Sequence, residues 1–166
     1  MNDANGAAKV ASLHLHPAKS GEPLSSVRCI ELVQGKGIKD EPRYFGRISR
    51  SSGKPSRRQV TLIEREQIAE HAATLGLERI PPGAVRSNIE TSGINLIALI
   101  GKEIQIGTAK LLLYAPRDPC EQMDAMCQGL REQMMNNRQG VLAEVLHGGI
   151  VKVGDRIEIL QRPPPL

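Results

Sequence analysis

The chain has 166 residues, 40% hydrophobic and 24% charged, a balance that fits one folded domain and excludes wholesale disorder or a fibrous repeat. Its formal net charge is +4, and its only aromatic residues are Tyr44, Phe45 and Tyr114. So few rings exclude an extended base-stacking platform, and no apolar run approaches the ~18 residues that a membrane-spanning helix needs.

Residues 1–9 are polar and lack the apolar stretch of a secretory leader, so they read as an extension ahead of a domain over 10–160, with a cytoplasmic location expected. From Val10 to His16 the alternation places Ala11, Leu13 and Leu15 on one face and Ser12, His14 and His16 on the other, which is strand periodicity ended by Pro17. His14 and His16 share a side, but no third ligand lies nearby and a zinc site is not expected. Arg28 to Val33 reads as a second strand, followed by Gly35 and Gly37.

Between Lys36 and Arg58 lies a long loop with eight basic residues, Lys36, Lys39, Arg43, Arg47, Arg50, Lys54, Arg57 and Arg58, against Asp40 and Glu41. Its net +6 exceeds the charge of the whole chain, so the basicity is local. Guanidinium groups gathered in this way suit a phosphate-bearing ligand, while the plain alternative is a solvated loop. Arg58 to Ile63 then reads as a strand with Val60 and Leu62 on one side. Glu64 to Leu75 reads as a helix with Ile68, Ala72 and Leu75 inward, stopped by Gly76.

Pro81-Pro82-Gly83 makes a turn into the polar stretch Arg86-Ser87-Asn88, after which comes the apolar run Leu96 to Ile100. Gly101 to Gly107 and Gly148 to Gly154 share the order Gly-x-x-apolar-x-apolar-Gly, and each is expected to open a hairpin, the second turning at Gly154-Asp155. Between them, Cys120 to Met135 reads as a helix with Met123, Cys127, Leu130 and Met134 as its apolar stripe. Residues 161–166 form a proline-rich tail. Short strands with few helices predict a mainly β domain, a barrel-like sheet with helices packed on it.

Three cysteines, Cys29, Cys120 and Cys127, with no CxxC pair, fit reduced thiols better than a disulfide framework. Cys120 has the most informative context. In Arg117-Asp118-Pro119-Cys120-Glu121 a strand ends and a helix is expected to begin, with Asp118 as N-cap, Pro119 first and Glu121 third. That register puts Cys120 where free backbone N–H groups favour a thiolate, with Arg117 adding to the effect and the two carboxylates opposing it. The same residues also suit a small buried cysteine, and the residues alone leave both readings open. No nucleophile elbow, P-loop or dinucleotide fingerprint is present.

Taken in order, Gly35-x-Gly37-Ile38-Lys39-Asp40, Arg58-Gln59-Val60-Thr61-Leu62-Ile63, Arg86-Ser87-Asn88, Gly101 to Gly107, Pro119-Cys120, Arg138-Gln139-Gly140-Val141 and Gly148 to Asp155 resemble the MOSC family. This is the domain found at the C-terminus of molybdenum cofactor sulfurases. The resemblance spans about Val10 to Leu160. It implies a β-barrel-like fold and binding of the molybdenum cofactor, with Cys120 as the functional residue, either a molybdenum ligand or the carrier of a persulfide. The cofactor's phosphate supplies a ligand for the basic segment, so Lys36, Asp40, Arg43, Arg47, Arg57, Arg58, Arg86, Asn88 and Arg117 are the expected cofactor-binding residues. Two departures stand out: Pro42, Arg43 and Tyr44 follow Glu41 where a histidine is frequent, and Ser87 stands where an acidic residue is common.

The resemblance implies a reductase of N-hydroxylated compounds acting on a small-molecule substrate, with electrons from a separate donor protein. The alternative is a persulfide carrier or cofactor-delivery protein served by a sulfur donor, and a weaker one is a non-catalytic module for a phosphorylated ligand. Neither pyridoxal phosphate nor a nucleic-acid or membrane partner is expected.

Overall fold

The structure is a computed structural model, and it describes residues 6–161; the first five residues of the expected extension and residues 162–166 of the tail lie outside the described residues. The strands are β1 (Lys9–Leu15), β2 (Ser25–Val27), β3 (Cys29–Val33), β4 (Gly37–Ile38), β5 (Val60–Glu64), β6 (Ile89–Ser92), β7 (Glu103–Ile106), β8 (Ala109–Pro116), β9 (Val141–His147), β10 (Gly149–Lys152) and β11 (Ile157–Leu160). Three short helices join them: α1 (Arg65–Thr74), α2 (Gln122–Met126) and α3 (Leu130–Gln133). The domain is mainly β, as expected. None of these helices is long and apolar enough to cross a membrane.

Eight strands form one mixed sheet in the order β11-β7-β8-β9-β5-β6-β1-β2, and β10-β3-β4 form a second. The large sheet curls: Val10 N–H donates to the Asp155 carbonyl at 2.9 Å and Ile157 N–H to that of Ala8 at 2.8 Å, so the start of β1 meets the chain entering β11. Strand β5 is buried along its length because it lies mid-sheet, between β9 and β6, with apolar groups on both sides. Val60 and Leu62 join the main core with Leu13, Ile89, Leu111 and Leu113, whereas Ile63 joins a second cluster with Ile68, Ala72, Met123, Leu130 and Met134. Each fully buried Val, Leu, Ile or Met side chain among them contributes about 1.5–3 kcal/mol by leaving water. Helix α1 ends as expected, with Gly76 left-handed at φ 71° and Leu77 N–H donating to the Ala72 carbonyl at 2.8 Å.

Three expectations are corrected. Gly148 to Asp155 does not open a hairpin, because β10 pairs with β3 and β11 with β7, which places the two strands in different sheets. The helix expected over Cys120–Met135 is two short ones, separated by Cys127 in an extended conformation and Gly129 at φ 90°. Its break is built by Asp124, whose Oδ1 accepts from the N–H groups of Gly129 at 3.2 Å and Arg131 at 3.1 Å, so an interior position of the expected helix caps the next one. The apolar stripe survives the break, with Met123, Leu130 and Met134 buried and Cys127 partly so. The polar stretch after Arg86 also contains a strand, β6, pairing parallel to β5 and antiparallel to β1.

Candidate functional site

The residues His16, Glu41, Arg86, Asn88 and Arg117 come from four separate stretches and form one buried network. Glu41 Oε2 accepts from His16 N–H at 2.9 Å and from Asn88 Nδ2 at 2.8 Å, and His16 Nδ1 lies 3.1 Å from the same oxygen. The other ring nitrogen, His16 Nε2, donates to the Arg86 carbonyl at 3.0 Å. Arg117 Nη1 donates to that carbonyl as well, at 3.0 Å, and to Ser87 Oγ at 3.0 Å. Two donors thus hold the backbone of Arg86, which stands at φ 65°, a left-handed conformation that a residue with a side chain adopts only when its surroundings impose it.

Asn88 is committed to the fold. Its Oδ1 accepts from Thr61 N–H and Oγ1, both at 3.1 Å, and its Nδ2 reaches the His14 carbonyl at 3.0 Å in addition to Glu41. It therefore fastens β1, β5 and the strand it precedes to one another, at the place where the site's loops begin.

Around this network lies a group of cations. The guanidinium carbons of Arg43 and Arg58 are both 5.3 Å from the Tyr44 ring centre and that of Arg47 is 5.9 Å away, while His16 meets the ring edge-on at 4.8 Å. Burial lowers the pKa of Arg117 to about 10, with Arg58 and Arg86 pushing the same way and the charge of Cys120 pulling back. Arg86 is lowered too, first by burial, and Cys120 again acts as the leading opposing charge. Cys120, Arg86 and Arg117 therefore share one electrostatic neighbourhood. Among the described residues no carboxylate forms an ion pair with Arg43, Arg58, Arg86 or Arg117. Arg86 Nη2 is buried without a hydrogen-bond partner.

Cys120 is exposed and follows β8 by way of Arg117, whose N–H donates to the Gly140 carbonyl at 2.9 Å. Its expected place as second residue of a helix is corrected. Glu121 is the N-cap of α2 without a side-chain cap bond, Cys120 stands before it, and the Cys120 carbonyl accepts from Met123 N–H at 3.1 Å. Asp118 does not cap, and the five-residue α2 is too short for a helix-dipole argument about the sulfur.

The remaining expected residues lie apart. Arg57 is paired with Glu144 at 3.0 Å and stacks over Tyr114 at 4.1 Å. Lys36 is exposed in the turn before β4, and Asp40 is exposed after it at φ 72°. His14 is buried against Ser12 Oγ, 2.8 Å from its Nε2, and Glu90, 3.6 Å away. No group of three or more His, Cys, Asp or Glu side chains among the described residues is placed to hold a metal.

A MOSC domain profile matches residues 35–158, and the chain belongs to the MOSC family. Its fold is similar to that of the YuaD protein from Bacillus subtilis, with 23% identity and a TM-score of 0.76 over 92% of this chain and 94% of that one. It is also similar to YiiM from Geobacillus stearothermophilus, at 16% identity and a TM-score of 0.71 over 93% of this chain and 76% of that one. For YiiM from Escherichia coli the values are 17% and 0.66, over 95% of this chain and 72% of that one. No curated protein matches significantly.

The residues present fit an anionic cofactor that brings most of its own metal ligands. One exposed thiol is a suitable soft ligand, the unpaired guanidinium groups suit phosphate oxygens, and the orphaned Arg86 Nη2 is a donor in want of an acceptor.

Proposed function

We propose that the protein holds the molybdenum cofactor, with the Cys120 sulfur as the protein's ligand to the metal and Arg43, Arg58, Arg86 and Arg117 against the anionic parts of the group. The observation that carries this reading is the cluster of four arginines without an ion-pairing carboxylate, sharing its field with one exposed cysteine. Carrying a positive charge on the buried Arg117 at neutral pH is unfavourable by itself, and an anionic ligand offsets that cost. When bound, the cofactor supplies a two-electron redox couple. The reaction that follows is reduction of an N-hydroxylated compound, in which two electrons from a separate donor protein and two protons convert N–OH to N–H and water. Within the chain, Arg117 and His16 keep Arg86 in place, and Tyr44 holds Arg43 and Arg58 over the network.

Molybdenum analysis of wild type and Cys120→Ala, expressed in a cofactor-competent host, tests the reading. Molybdenum in the wild type and its loss in a folded variant is the expected result; a metal-free wild type overturns it. The exposure of Cys120 also favours a second reading, a persulfide carrier. It requires a gain of one sulfur atom on the Cys120 peptide after exposure to a sulfur donor, removable by reductant.

A further inference from the structure

A cleft of about 490 Å³ opens beside the arginine group, between the loop 21–24, the loop 82–86 and helix α2. Its size falls within the ~300–1,000 Å³ of small-molecule sites. Pro23, Leu24, Pro82, Ala84, Ala125 and Met126 make its walls apolar, and Gln122 and Arg86 are its polar members. The walls are tied together by polar contacts: Arg86 Nη1 donates to the Glu22 carbonyl at 2.8 Å, and Gln122 Nε2 reaches Ser20 Oγ at 3.4 Å.

Arg86 is thus shared between two unlike surroundings. On one side Arg43 and Arg58 gather around Tyr44, fit for phosphate oxygens; on the other the cleft offers apolar walls and a single cation. Burying a phosphate or a sugar against Leu24, Ala84 and Met126 would strip its water without returning hydrogen bonds. We infer that this cleft is a second ligand site that receives the neutral, apolar body of the substrate, a flat ring or short chain with one hydrogen-bond acceptor facing Arg86, while the phosphate-bearing cofactor occupies the Tyr44 side. Calling its occupant the substrate rests on the proposed cofactor reading; the selectivity of the cleft for an uncharged ligand does not. Arg86, which lines the cleft on a side chain only 9% exposed, is the one cationic donor such an acceptor would meet there.

Titration calorimetry with two probes separates the sites. Benzamide is a neutral ring with a carbonyl acceptor and no N-hydroxyl group to engage a metal, and inorganic phosphate is the anionic probe. Ala125→Trp, at an exposed position of α2, fills the cleft. It is expected to lose benzamide binding while keeping phosphate binding and molybdenum content, and Arg58→Ala is expected to do the reverse for the two probes. Methyl NMR shifts of Leu24 and Met126 on adding benzamide to the wild type give the same answer without a variant. Failure of the wild type to bind benzamide, displacement of benzamide by phosphate, or full benzamide binding by Ala125→Trp overturns the inference. A wild type without molybdenum that still binds benzamide in the cleft overturns the cofactor reading alone.

Discussion

His16 and Glu41 show how a single buried pair supports the site without touching a ligand. Both are nearly inaccessible, and together they connect β1, the basic loop and the carbonyl of Arg86. His16→Ala removes the ring beside Glu41 Oε2 and the Nε2 donor to the Arg86 carbonyl while leaving Glu41 its Asn88 and backbone donors, so it is expected to cost about 1–3 kcal/mol, the usual penalty when buried polar groups lose a partner. Glu41→Gln should cost less in that variant than in the wild type, because the contact with the ring is already gone. Urea denaturation of the two singles and the double checks this through the coupling energy, and additive effects would show that the pair is not coupled. Little of this was legible in the sequence. Cys120, Arg86 and Arg117 stand out in it because their neighbours along the chain are distinctive. His16 reads as one of two histidines on a strand face, and its partner lies 25 residues away, a separation that no local pattern reports.

Among the elements, the β5–α1 junction carries the clearest pH dependence. Glu64 ends β5 and is the N-cap of α1, yet it makes no side-chain cap bond, and its Oε1 is buried without a partner. Burial first, then the charges of Glu66 and Glu70, raise its pKa to about 7. A carboxyl raised in the folded state binds more protons there than when unfolded, so stability falls as pH rises from about 4.5 to about 7 and stays lower above it. Glu64→Gln, which resembles the protonated form, should therefore gain stability over wild type through that window, with little difference at pH 4. His14 and His71 act on the acid side: burial lowers both, so each costs stability as pH falls below the ordinary histidine range. Thermal unfolding of both proteins at pH 4, 6 and 8 checks this, and a constant difference would refute the assignment to Glu64. Periodicity in the sequence finds α1 and the apolar stripe under α2 and α3. It misses the Asp124 cap and the strand partners of β10 and β11, because a cap depends on one side chain and a strand's partner on the whole chain.

At the scale of the molecule, the net +6 of the segment from Lys36 to Arg58 becomes meaningful only after folding divides it. Arg57 turns to Glu144 and Lys39 lies 3.9 Å from Glu31, whereas Arg43, Arg47 and Arg58 converge on Tyr44, beside the network that also holds Arg86 and Arg117 from distant parts of the chain. The sequence made the excess charge visible but not this division, since the pairing residues lie in other strands. A folded state that concentrates unpaired cations should be stabilised by anions that bind it and not its unfolded chain. Inorganic phosphate at tenfold its dissociation constant adds about 1.4 kcal/mol, which for a domain of this size is a rise of roughly 3–6 °C in Tm. The rise should shrink as sodium chloride is increased, because counterions compete at the same guanidinium groups. It should be smaller in Arg58→Ala, whereas Arg57→Ala, which removes a cation already paired with Glu144, should keep most of it. Working at low millimolar phosphate keeps general salt effects out of the comparison. Equal shifts in wild type and Arg58→Ala would mean that the arginine group around Tyr44 does not bind the anion, and that the positive charge serves solubility alone.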